Sequence, residues 1–173
     1  YIVVKIPRWD LQKFVGGKDE IGSEMKSVGE VMAIGRSFPE ALQKAIRMLN
    51  VGADGLSIHP YKLSKLADEV HPATDKRIFA VYEEIKIGQS IEDIHKLTNI
   101  DNWFLSHMAE INNTEQQLKN QQLTTDLLRK AKQQGFSDKT IAALTKVTEE
   151  SVRKLRISRG ITPVIKQIDT LAG

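Results

Sequence analysis

The chain has 173 residues, of which 40% are hydrophobic and 27% charged. That suits one ordinary domain or two small ones packed together and is too apolar for a disordered segment. It has no cysteine, which excludes a disulfide framework, a thiolate metal site and a cysteine nucleophile and points to a reducing, cytoplasmic setting. The net charge is +3, unevenly spread: residues 119–160 carry ten basic and four acidic side chains against 15 and 18 in the remainder.

Residues 1–6 are rich in β-branched side chains and predict a strand that stops at Pro7, where a ladder donor is lost. An irregular charged stretch with Gly16, Gly17 and Gly22 follows, and residues 29–35 predict a second strand between glycines. Two short strands do not make a stable sheet alone, so they pair with something outside the chain or pack on the next helix. In a crystal, partial disorder or edge pairing with a neighbour is expected for residues 1–36.

That helix is announced by Ser37 as N-cap, Pro39 in the first turn and Glu40 at capping-box spacing, with Ala41, Leu42, Ala45, Ile46 and Leu49 on one face. Helices then follow over 61–70, 75–87 and 91–97, and Asp101 opens a longer run carrying Trp103, Phe104, Met108, Ile111 and Leu118. Residues 112–122 are polar enough for a solvated helix or a loop. Three more helices are predicted over 124–134, 137–144 and 148–159, with Gly135, Gly160 and Pro163 as stops, and residues 164–171 read as extended. The fold class is therefore mainly α: an irregular array of about seven short helices after two short strands. No apolar run nears the ~20 residues of a membrane span, so a soluble protein without membrane contact is expected.

Catalytic patterns are missing. His59, His71, His95 and His107 have no metal-ligand spacing, and neither a nucleophile elbow nor a glycine-rich phosphate loop occurs. Glu83 and Glu84, like Glu149 and Glu150, are neighbours on helices and point apart. No catalytic, cofactor or metal residue is assigned. Residues 136–159 do look like a helix-turn-helix, with Arg153, Lys154 and Arg156 placed as phosphate or base contacts, so a DNA-binding regulator is the alternative reading. The modest basic excess favours two amphipathic helices and no nucleic-acid partner.

Three ordered segments carry a family resemblance. Residues 5–8 with Lys13 and Phe14, and then Met25 to Arg36, resemble the end of the amino-terminal synthetase half of the carbamoyl-phosphate synthase large subunit. Residues 77–79 and 97–105 are similar to the helical oligomerisation domain of that subunit, and residues 137–156, Pro163-Val164 and 168–170 resemble its exit into the second half. The resemblance implies a fragment divided into residues 1–50 (the end of the first ATP-grasp half), 51–162 (the helical domain) and 163–173 (a linker into the second half). It also implies a parent ligase that makes carbamoyl phosphate from bicarbonate, glutamine-derived ammonia and two ATP, for pyrimidine and arginine synthesis. That ligase would use Mg2+ or Mn2+ and a glutaminase small subunit. The family's metal motif, a Glu two residues before Asn-Pro, is absent here, so the fragment is expected to be inactive.

Two roles follow by resemblance. Met25 and Glu30 match positions lining a passage for carbamate, where a flexible thioether suits a narrow duct and a carboxylate can fix water or shift a proton. Otherwise Glu30 is a solvent-facing strand residue or an ion-pair partner. The helical domain implies self-association, and Leu63 and Leu66 on the 61–70 helix are its candidate contacts. That stripe equally suits the domain's own core.

Overall fold

The computed structural model describes residues 1–9, 21–22, 27–63 and 70–168. Strand β1 (Ile2–Trp9) pairs antiparallel with β2 (Ser27–Gly35), from Ile2 opposite Gly35 to Arg8 opposite Gly29, with an irregularity between Arg8 and Trp9. The first strand runs through Pro7 instead of stopping there. Among the described residues the sheet has two strands, so each is an edge, where proline's missing donor is tolerated. Period-two alternation turns Val4, Ile6, Val31 and Ala33 inward and leaves Val3, Lys5, Glu30 and Met32 exposed. Of the two fates open to the strands, packing on the following helix is the one realised. Residues 10–20 of the irregular segment lie outside the described residues, as do 64–69 of the helix expected over 61–70, whose residues 61–63 are not helical.

Helix α1 (Phe38–Met48) is the one the strands meet. The Ser37 hydroxyl accepts from the Glu40 amide at 3.4 Å, while Glu40 Oε2 accepts from the Arg36 amide at 2.8 Å, so the reciprocal cap reaches one residue further back than the motif predicts. Ala41, Leu42, Gln43, Ala45 and Ile46 are buried, and Lys44 donates to the Ile34 carbonyl at 2.6 Å, pinning helix to strand.

The rest is helical: α2 (Arg77–Ile87), α3 (Ile91–Thr98), α4 (Asn102–Asn120), α5 (Thr125–Gln133), α6 (Asp138–Thr145) and α7 (Glu149–Ser158). Ser90, Asp101, Thr124, Ser137 and Thr148 each cap the helix that follows by accepting a backbone N–H. Helix α2 starts without a side-chain cap and is held by Arg77, which donates to the carbonyls of Val70 (2.9 Å) and Thr98 (3.0 Å).

Helix α4 is the spine, packing against α1, α2, α3, α5 and α6. The polar stretch left open as helix or loop is helical to Asn120, because Thr114, Glu115 and Leu118 on it are buried against these neighbours. Tertiary burial overrides a polar composition here. The side chain of Glu115 is only 1% exposed and is answered by Tyr82, whose hydroxyl donates at 2.7 Å, by Lys119 at 2.5 Å and by Lys86 at 4.0 Å. Burial works to raise the Glu115 pKa, but the hydrogen bonds from Lys119 and Tyr82 and the Lys86 charge win, and it sits below its ordinary 4.5. The same carboxylate and its own burial push the Tyr82 phenol well above its usual range.

A carboxylate depressed by folding contributes stability that is present above its unfolded pKa and is lost as pH falls through the lower, folded one. Glu115→Gln should therefore cost about 2 kcal/mol at neutral pH, because the charge answered by Lys119 and Lys86 is gone. Urea titrations should show the gap from wild type narrowing as pH drops below 4.5. A gap independent of pH would contradict the ion pairing.

Candidate functional site

Of the four residues assigned from sequence, Glu30 and Leu63 are among the described residues. Glu30 stands on β2 with an exposed carboxylate 2.8 Å from Lys5, the ion-pair alternative weighed for it. Met25 and Leu66 lie outside the described residues. Leu63 is half-buried, outside the described helices, and packed in part against the core.

Potential catalytic groups are dispersed. Among the described residues no three of His, Asp and Glu are grouped as metal ligands. Glu83 pairs with Lys86 at 2.7 Å, Glu149 with Arg153 at 3.1 Å and Glu150 with Lys154 at 3.7 Å. His95 bonds the Ile100 carbonyl at 2.7 Å, His107 meets Glu110 at 2.9 Å and His59 lies 3.5 Å from Glu83. A cavity of about 410 Å³ between β1, α1, α2 and α4 is walled mainly by apolar side chains such as Val4, Ile6, Leu42, Ile46, Phe79 and Met108, with Arg8, Tyr61, Asp75 and Arg77 also on its lining.

What the surface does present is aromatic. Trp103 and Phe104 are 48% and 43% exposed at the start of α4, and their rings stack edge-on at 5.0 Å. Phe38 lies 5.2 and 5.3 Å from them, and His107 is 4.4 Å from Trp103. The sequence sets Trp103 and Phe104 among the apolar residues of this helix without showing which face they take. Their adjacency was the overlooked signal, since neighbours on a helix cannot share one buried face.

The helix-turn-helix candidate is present as α6 and α7, but the three cations placed as contacts, Arg153, Lys154 and Arg156, all pair with acids. Arg156, only 16% exposed, donates to Asp138 at 2.7 Å, and Lys132 reaches the other Asp138 oxygen at 2.8 Å. Burial works to raise the Asp138 pKa, and the bonds and charges of Lys132 and Arg156 overcome it and hold the carboxyl low. The first turn of α7, which would enter a groove, carries Glu149 and Glu150. Such a surface repels phosphate where a recognition helix must accept it.

The described residues form a helical array with an exposed aromatic cluster on its surface. Comparison with known proteins agrees: residues 30–160 match the family model for the carbamoyl-phosphate synthetase large chain, oligomerisation domain. The chain is 47% identical, over 99% of its length, to the carbamoyl phosphate synthase large chain of Methanothermobacter thermautotrophicus, of which it covers 16%. It is 46% identical to the multifunctional protein pyrABCN of Emericella nidulans and 45% identical to the mitochondrial carbamoyl-phosphate synthase [ammonia] of Rattus norvegicus, covering 8% and 12% of them. The chain belongs to the carbamoyl-phosphate synthase large-chain family and contains its oligomerisation domain. None of these relatives' names speaks for a DNA-binding regulator. No described helix is long and apolar enough to cross a membrane.

A gel-shift titration at physiological salt should show no retained DNA at ~10 to 100 nM protein, the range in which a specific reader binds. A discrete, sequence-dependent band there would restore the regulator reading.

Proposed function

We propose that this chain is the connecting part of a carbamoyl-phosphate synthase large chain, joining the end of one ATP-grasp half (residues 1–50) to the linker into the other (163–173) through the helical domain (51–162). The parent enzyme, on this reading, is a cytoplasmic ligase using bicarbonate, glutamine-derived ammonia from a glutaminase small subunit, and two ATP with Mg2+ or Mn2+, in pyrimidine and arginine synthesis. The single observation that carries it is the family match across residues 30–160 on a helical array.

In this reading the chain supplies no nucleotide site. Its contributions are a lining for the carbamate passage at Met25 and Glu30, and self-association near Leu63 and Leu66. The first rests on the family resemblance of the segment that holds Met25 and Glu30. The family description as an oligomerisation domain supports the second.

Sedimentation equilibrium tests the reading. The chain should associate with rising concentration, and Leu63→Asp should shift it toward monomer while helical circular dichroism is retained. A monomer at every concentration would remove the self-association role. Incubation with ATP, magnesium, bicarbonate and ammonia should give no ADP, and appreciable ADP would mean an active site within the chain.

A further inference from the structure

The β1–β2 hairpin and the segment that leaves α7 are joined by a continuous series of polar contacts. We propose that this series makes the domain a rigid strut, with α1 locked onto the α5–α6 turn so that a displacement at the hairpin is carried to the exit segment and not absorbed between them.

The series begins at the sheet, where the Glu40 carboxylate accepts from the Arg36 amide at 2.8 Å and Lys44 donates to the Ile34 carbonyl at 2.6 Å. One face further round α1, fully buried Gln43 donates to the Gln134 carbonyl at 2.8 Å and Arg47 donates to the Gly135 carbonyl at 2.7 Å. Those carbonyls lie just past the end of α5, where backbone acceptors have no partner within their helix, so α1 provides what α5 cannot. Gly135 makes the approach close: it holds φ +86°, and a Cβ there would lie 3.0 Å from the Glu40 Cα and carbonyl oxygen. Backbone touches backbone, with no side chain between to yield.

A second tie runs from the loop after α1. The Asp54 carboxylate accepts from the Ser137 hydroxyl, and the buried Thr140 hydroxyl lies 2.8 Å from both the carboxylate and the carbonyl of Asp54. Ser137 is also the N-cap of α6, accepting from the Thr140 amide at 2.8 Å, so one hydroxyl fixes the loop and the start of the helix together. From there Lys132 spans the Phe136 carbonyl and Asp138, both at 2.8 Å, and Asp138 holds Arg156 of α7. Arg156 extends to the Ile161 carbonyl at 3.4 Å, where the exit segment starts.

These are long-range ties, bridging 83 to 91 residues of sequence between α1 with its loop and the α5–α6 turn. Apolar surfaces can slide past one another, but a hydrogen bond weakens steeply once its partners separate by roughly 1 Å. Sliding here would also strand buried donors and acceptors without water. The seam therefore has one low-energy position. Its meaning for a larger enzyme rests on the connecting role proposed above, whereas its mechanics belong to this chain alone.

Because the chain has no cysteine, nitroxide labels can be placed at Lys5→Cys on β1 and Lys154→Cys on α7, where the side chains are 55% and 76% exposed. Pulsed dipolar spectroscopy should then give a single narrow distance distribution, and Arg47→Met should broaden or shift it while helical circular dichroism is unchanged. Should Arg47→Met lose its fold, the milder Asp54→Asn carries the test with the same expected broadening. A broad distribution in the parent chain, or a narrow peak unmoved in a folded seam variant, would overturn the strut. Failure of the connecting role would appear in the sedimentation and ATP experiments and would leave this distance unchanged.

Discussion

A carboxylate buried at the centre of a helical array has to be answered by cations and donors, and the arrangement of α2 and α4 follows from that demand. Glu115 projects from α4 with almost no exposure. Lys119 is one turn along the same helix, while Tyr82 and Lys86 come from α2, one turn apart on its facing side. Rotating either helix would separate the phenol or the ammonium from the carboxylate and leave an unpaired charge in a low dielectric. Lys86 in turn holds Glu83, beside which the ring of His59 is packed against Phe79. The register of two helices and the seating of the 51–60 loop thus depend on one buried acid.

Among the described residues, the buried acids serve the structure, and several large apolar side chains stand outside. Asp54, Asp138 and Glu115 all face hydroxyls or cations of the chain itself, so each is satisfied before any ligand could use it. Meanwhile Trp103, Phe104, Val3 and Met32 are left partly in water. A scaffold that positions other parts needs this distribution, whereas an enzyme site would concentrate unspent acids and bases in a cleft.

Local signals were legible in the sequence. Helix starts at Ser37, Ser90, Thr124, Ser137 and Thr148 were read from capping chemistry, and the stops at Gly88 and Gly135 from the need for positive φ. Pairings at a distance were hidden. Glu115 sits in a run of asparagines, glutamines and threonine that looks solvated, and nothing local shows that Tyr82 will close over it. Arg156 read as a free cation, because its partner Asp138 lies eighteen residues away across a turn. The exposure of Trp103 and Phe104 was not read from the sequence, although a helix can bury only one of two adjacent rings fully. The carbamate-passage reading reaches the structure only through Glu30, and the leucine contact only through Leu63, which packs in part against the core.

The hairpin and the helices are, on this account, one cooperative body organised around α4. The chain has two tryptophans, Trp9 on β1 and Trp103 at the start of α4. Urea unfolding followed in parallel by tryptophan fluorescence and by far-ultraviolet circular dichroism is therefore the most direct test. Coincident transitions with one midpoint are predicted, since the probes then report the same event. A fluorescence change from the hairpin that precedes the helical transition would contradict a single body and make the strands an independent attachment.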